Sequence, residues 1–121
     1  MRLVVASLVA VALLAACGGG SGPSTAPAGS TTVKMTDYKF DPATISAPNG
    51  KVVFYLTNSG STTHDMVIRD TSKKKIAGSE LVAPGDSNVF TISNIAAGSY
   101  EIYCSQLGHE TNGMVGKLTV T

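Results

Sequence analysis

Ala97-Gly98-Ser99-Tyr100-Glu101-Ile102-Tyr103-Cys104 opens on turn residues and then alternates. The alternation puts Tyr100, Ile102 and Cys104 on one face and Glu101 and Tyr103 on the other, which is the period of a strand. The same period recurs on both sides. Val33 and Met35 alternate with Lys34 and Thr36, and Lys51-Val52-Val53-Phe54-Tyr55-Leu56-Thr57 follows Pro48-Asn49-Gly50. His64-Asp65-Met66-Val67-Ile68-Arg69, Asn88-Val89-Phe90-Thr91-Ile92 and Val115-Gly116-Lys117-Leu118-Thr119-Val120 continue it. Asn58-Ser59-Gly60 and Pro84-Gly85-Asp86 supply further turns. No segment from Thr32 onward sustains a helical repeat. Six or seven short strands with frequent turns predict an all-β antiparallel sandwich or barrel. Its expected core is Phe40, Val52, Phe54, Ile68, Phe90, Ile92, Ile102 and Leu118. Asp70–Leu81 is the least strand-like part and is expected to carry a loop or one helical turn.

Upstream of the strands the composition changes twice. Arg2 is followed by an apolar run from Leu3 to Ala16. That run is shorter than the roughly 20 residues a membrane span needs and has the layout of a secretory signal. Its exit, Leu14-Ala15-Ala16-Cys17, resembles a bacterial lipoprotein lipobox. The resemblance implies a lipoprotein signal peptide over residues 1–16 and acylation of Cys17, with the protein exported and lipid-anchored in the bacterial cell envelope. Several acyl chains make a stable anchor, whereas one is marginal. The alternative is a cleaved signal that releases a soluble protein with a free Cys17. Residues 17–31 are rich in Gly, Ser and Pro, lack large apolar side chains and read as a flexible tether. The folded domain is expected over residues 32–121, as a monomer.

Charge and residue counts narrow the function. The chain has 121 residues, with 9 Lys plus Arg against 8 Asp plus Glu. No basic excess exists to neutralise phosphates, which argues against a nucleic-acid partner. Only 2 cysteines and 2 histidines are present. A disulfide-dense scaffold is excluded, and so is any site needing three His ligands.

The loop after Cys104 carries the chemistry. Cys104-Ser105-Gln106-Leu107-Gly108-His109-Glu110-Thr111-Asn112-Gly113-Met114 places a thiolate, an imidazole and a thioether on one segment. Thiolate and thioether favour copper, and two His with one Cys and a weak axial Met make a trigonal blue-copper site. His64 supplies the second imidazole from an earlier strand, on the same face as Met66 and Ile68. Each residue also has a plainer reading. Met114 suits an irregular core gap, Cys104 an inert buried thiol, and His64 a satisfied strand histidine. Met66 reads as core, and Lys73-Lys74-Lys75 as a solvated loop. Zinc also accepts Cys and His ligands.

With these residues the sequence resembles the cupredoxins, the plastocyanin and azurin family. The resemblance runs over Phe40-x-Pro42-x-x-Ile45, Gly50-x-Val52-x-Phe54, Asn58-x-Gly60 and His64, then Gly98-x-Tyr100-x-Ile102-x-Cys104 and Gly113-Met114-Val115-Gly116. It implies a Greek-key β-sandwich and one copper per chain, held by His64, Cys104, His109 and Met114, with Tyr100 as the corner tyrosine. The spacing is mixed. Four residues separate Cys104 from His109, as in azurins, and four separate His109 from Met114, as in plastocyanins. Asp65 stands where the family often has Asn; a carboxylate aimed at the site would favour Cu(II), though strand parity leaves its direction open.

The resemblance implies a one-electron carrier between exported or membrane-bound redox proteins, such as a cytochrome or oxidase, and not an enzyme. His109, Leu107 and Gly108, with Ala83-Pro84 alongside, form the expected exchange surface. The alternative is a copper-binding lipoprotein for storage, delivery or tolerance. A multicopper oxidase or nitrite reductase needs more His than His64 and His109, and a dinuclear copper centre needs a second Cys in the loop.

Overall fold

The computed structural model describes residues 22–121, so the expected signal peptide and Cys17 lie outside the described residues. Among the described residues nine strands form: β1 (Thr31–Thr36), β2 (Lys39–Asp41), β3 (Thr44–Ala47), β4 (Gly50–Asn58), β5 (Val67–Arg69), β6 (Lys75–Gly78), β7 (Ser87–Ile95), β8 (Gly98–Tyr103) and β9 (Val115–Val120). They make two sheets, β2-β1-β4-β7 and β3-β9-β8-β5-β6. The all-β sandwich expected from the alternation is what the chain forms. Two pairings, β1 with β4 and β3 with β9, are parallel and make both sheets mixed. Alternation has the same period in parallel and antiparallel strands, so it carries no information about direction.

The inward faces of the two sheets meet in one core. All eight expected core residues are buried, joined by Val33, Met35, Leu56, Met66 and Val82. Phe54 of β4 and Phe90 of β7 stack with ring centroids 5.9 Å apart. Each buried aromatic or aliphatic side chain contributes about 1.5–3 kcal/mol relative to exposure. The Tyr100 hydroxyl donates to the Ala96 carbonyl at 2.8 Å, bracing the turn into β8.

Asp70–Leu81 departs from expectation. It contains β6, an edge strand paired antiparallel to β5, and no helical turn. The four strand residues are exposed apart from a half-buried Ala77, so no alternation marks the strand. Lys73 in the preceding turn pairs with Glu101 at 2.5 Å. At the other end of the chain, Thr31 already pairs with Phe54. Residues 22–30 of the Gly/Ser/Pro stretch carry no strand, so the expected boundary between tether and domain moves by one residue. Its Pro23 carbonyl accepts hydrogen bonds from Tyr55 Oη at 2.8 Å and Ser87 Oγ at 2.5 Å.

The topology brings several element ends together. β1 and β4 finish, β5 and β9 start and β8 finishes at one end of the sandwich. Cys104 and Met114 lie at that end, bordering β8 and β9. So does His64, which forms an isolated bridge to Val82 and not the start of a strand, since β5 begins only at Val67.

Candidate metal centre

Cys104 follows directly on β8, and its backbone N–H donates to the Met114 carbonyl at 3.2 Å. Met114 N–H donates in turn to the His109 carbonyl at 3.0 Å. The segment between them is a compact turn in which Gly113 takes φ 103°, a conformation that glycine adopts readily. Local hydrogen bonds therefore tie three of the four expected ligands together. The fourth comes from elsewhere: His64 pairs with Val82 by two backbone hydrogen bonds, of 3.1 and 2.8 Å. Cys104, Met114 and His64 are fully buried, and His109 is half-buried with Nδ1 turned inward.

The donor atoms converge. His64 Nδ1 lies 3.1 Å from His109 Nδ1, and Cys104 Sγ lies 3.9 Å from the first and 3.5 Å from the second. The point equidistant from these three atoms is about 2.0 Å from each. Metal–imidazole bonds are about 2.0–2.1 Å and metal–thiolate bonds about 2.3 Å for zinc, a first-row ion of similar size. The triangle thus accepts such an ion with little adjustment, which a fortuitous cluster has no reason to do. Burial pushes the Cys104 thiol pKa up, outweighing the hydrogen bonds from the Asp65 and Gln106 backbone. A cation among the ligands offsets that cost by stabilising the thiolate.

Several residues that sequence reading missed complete the surroundings. His64 Nε2 is 2.8 Å from Asp37 Oδ1. Asp37 also accepts from Ser61 N at 3.0 Å, from the Ser61 hydroxyl and from Thr62 Oγ1 at 3.0 Å. The Ser61 hydroxyl and then its N–H hold Asp37 far below the usual carboxylate range, with His64 and Thr62 adding to the effect. The next residue, Tyr38, sets its ring edgewise to His109, centroids 4.8 Å apart, and to His64 at 6.4 Å. Both lie in the β1–β2 turn, where neither spacing nor periodicity marks them. Asn58, buried between loops, donates to the Thr62 and Val82 carbonyls at 2.8 Å and accepts from Gly60 N at 2.9 Å.

Asp65 does not enter the donor triangle. Its carboxylate accepts from Ser105 N at 2.7 Å and Ser105 Oγ at 2.5 Å, joining the His64 segment to the residue after Cys104. Met66 is buried in the hydrophobic core, as expected. Arg69 braces the loop from the other side. Its Nε donates to Glu101 at 2.8 Å, its Nη2 to Glu110, and its guanidinium lies 4.2 Å from the Tyr103 ring centroid. On the loop that carries His109, Leu107 is fully exposed and Gly108 is exposed; Ala83-Pro84, after the His64 partner Val82, are exposed as well.

Comparison with known proteins agrees with this architecture. A family model described as a cupredoxin-like domain matches residues 4–120. The copper-resistant cuproprotein CopI of Rubrivivax gelatinosus is 34% identical over 105 residues, covering 73% of this chain. The match takes in 64% of CopI, so this chain spans less than two thirds of that relative. Reduced auracyanin from Roseiflexus castenholzii superposes with a TM-score of 0.69 at 19% identity, over 85% of this chain and 99% of that one. Auracyanin A of Chloroflexus aurantiacus, described as a "blue" copper protein, gives 0.62 at 19% identity, over 77% and 100%. The likenesses to solved structures speak for the fold alone. With a family model spanning nearly its whole length, and strands that deliver two imidazoles and a thiol to one end of a sandwich, this chain belongs to the cupredoxin-like domain family.

Proposed function

We propose that this chain is a type 1 copper protein that carries single electrons between exported or membrane-bound redox partners and is not itself an enzyme. The observation that carries the reading is the triangle of His64 Nδ1, His109 Nδ1 and Cys104 Sγ, whose centre is about 2.0 Å from each atom. One thiolate with two imidazoles is a donor set that both oxidation states of copper accept. Copper bound there supplies a one-electron couple.

The chain's own residues do the rest. His64 and Cys104 keep their donor atoms out of water on buried segments. Met114, buried and hydrogen-bonded through its backbone to Cys104 and His109, would supply a weak thioether donor. Backbone ties among the loops limit rearrangement between oxidation states, which keeps electron exchange fast. The half-buried His109 ring, flanked by exposed Gly108 and Leu107, gives the electron its way out. Acylation of Cys17 would hold the domain at the bacterial envelope, within reach of membrane-bound partners.

Adding Cu(II) to the purified chain tests the reading. The expected result is one copper per chain, an intense blue band and a narrow copper hyperfine splitting, all lost in Cys104→Ala. A colourless protein that takes up only Cu(I) would overturn the electron-carrier role. It would favour the second reading, copper tolerance by storage or delivery, which the 34% identity to a copper-resistant cuproprotein supports.

A further inference from the structure

We propose that Asp37 is a positioning residue of the metal centre: it fixes which nitrogen of His64 carries the proton, and its charge biases the bound metal toward its oxidised state. The inference rests on the copper reading above for its second half and on the fold alone for its first.

The first half follows from hydrogen-bond chemistry. Asp37 Oδ1 lies 2.8 Å from His64 Nε2. A carboxylate can only accept, so Nε2 must donate, and in a neutral ring the proton then leaves Nδ1 bare. Nδ1 is the atom that faces Cys104 Sγ and His109 Nδ1. Asp37 thus presents the lone pair to the centre before any metal arrives.

The pair is also built in from the outside. Ser61 and Thr62 supply three donors at 3.0 Å or closer, so the carboxylate is satisfied without leaving His64. Gly60 lies over the His64–Asp37 bond. A Cβ there would come within 2.9 Å of His64 Nε2 and still closer to Asp37 Oδ1, so only glycine leaves the bond room. Gly60 is held in place by Asn58 Oδ1, which accepts its N–H at 2.9 Å.

The second half is electrostatic. An anion bonded to the remote nitrogen of a ligand raises that ligand's basicity, and it stabilises the more highly charged metal ion more than the less charged one. Asp37 therefore favours Cu(II) over Cu(I). A neutral acceptor at the same place would fix the same tautomer without this bias, so charge and position can be separated by substitution.

Three measurements on the whole chain test this. Nitrogen-15 NMR of the metal-free parent should show His64 protonated at Nε2; protonation at Nδ1 overturns the positioning claim with no variant and no copper needed. Asp37→Asn, which keeps an oxygen for Nε2 but removes the charge, should lower the Cu(II)-to-Cu(I) affinity ratio about tenfold, read as a rise of about 59 mV in the one-electron potential. An unchanged potential with the Nε2–H tautomer intact overturns the charge claim. Asp37→Ala should mix the tautomers and weaken Cu(II) binding by about 10- to 100-fold; a single Nε2–H tautomer in that variant overturns positioning. If either variant fails to fold, Gly60→Ala should displace the same pair, and a parent-like tautomer and potential in it count against the proposal. A parent that binds no copper defeats the copper reading and with it the charge claim, while the tautomer measurements still decide the positioning claim.

Discussion

His64 Nδ1 and His109 Nδ1 face one another at 3.1 Å although they come from segments 45 residues apart. With the Nε2 proton of His64 engaged by Asp37, the contact opposes two electron-rich atoms unless a cation or a proton lies between them. Copper should therefore stabilise the fold as well as give it colour. At a free metal concentration a hundred times Kd the gain is about 2.7 kcal/mol. Calorimetry of the metal-free and loaded chain should show a clear rise in melting temperature, most of it absent in Cys104→Ser. Equal melting temperatures would mean that the triangle does not bind.

Arg69 links β5 to Glu110, the residue after His109, and to Glu101 of β8. It holds the ligand loop against the sheet. Arg69→Ala should release copper to a chelator several-fold faster while the far-ultraviolet spectrum stays that of a β-sandwich. Arg69→Lys should recover only part of the effect, because a lysine cannot donate to two carboxylates in the planar fork that Arg presents. An unaltered release rate would show that the loop is held by its own turn.

Glu101 is held below the usual carboxylate range, first by its hydrogen bond from Lys73 and then by that from Arg69. A carboxyl with a depressed native pKa adds stability that is fully present above its unfolded pKa. That stability is lost as the pH falls through the native value. The domain should accordingly lose stability below about pH 5, where an unfolded Glu begins to protonate. Glu101→Gln should show a shallower loss over the same range. Parallel acid limbs for the two proteins would remove Glu101 from the account.

Leu107 is fully exposed two residues from His109, whose Nδ1 faces Cys104 Sγ. On the proposed electron-carrier reading, this exposed apolar side chain belongs to the surface that meets the redox partner. Leu107→Glu should leave the blue band and the potential nearly as they were, and slow electron exchange with a redox partner. Unchanged exchange would place the docking surface elsewhere, with the exposed Leu81 as the next residue to test.

Much of this protein was legible because its chemistry is written locally. Period-two alternation marked the strands that pack the core, from Val33 to Leu118, and their inward residues are the buried ones. β6 escaped because a four-residue, mostly exposed edge strand has no buried face to impose a pattern. The loop from Cys104 to Met114 announced a soft donor set in eleven consecutive positions, and backbone hydrogen bonds among Cys104, His109 and Met114 show why that spacing closes on itself. Asp65 was visible as a carboxylate beside the site but not as an acceptor for Ser105, since parity gives a side and not a partner.

The sequence by itself determined an all-β sandwich, a thiol, an imidazole and a thioether on one loop, and a second imidazole upstream. Those properties depend on neighbours in the chain, where alternation and spacing act. Only the tertiary structure decided that strand ends from both sheets converge, so that Asp37 reaches His64 across 27 positions and Arg69 reaches Glu110 across 41. Contacts of that range are set by strand order and sheet packing, to which no local pattern of residues corresponds.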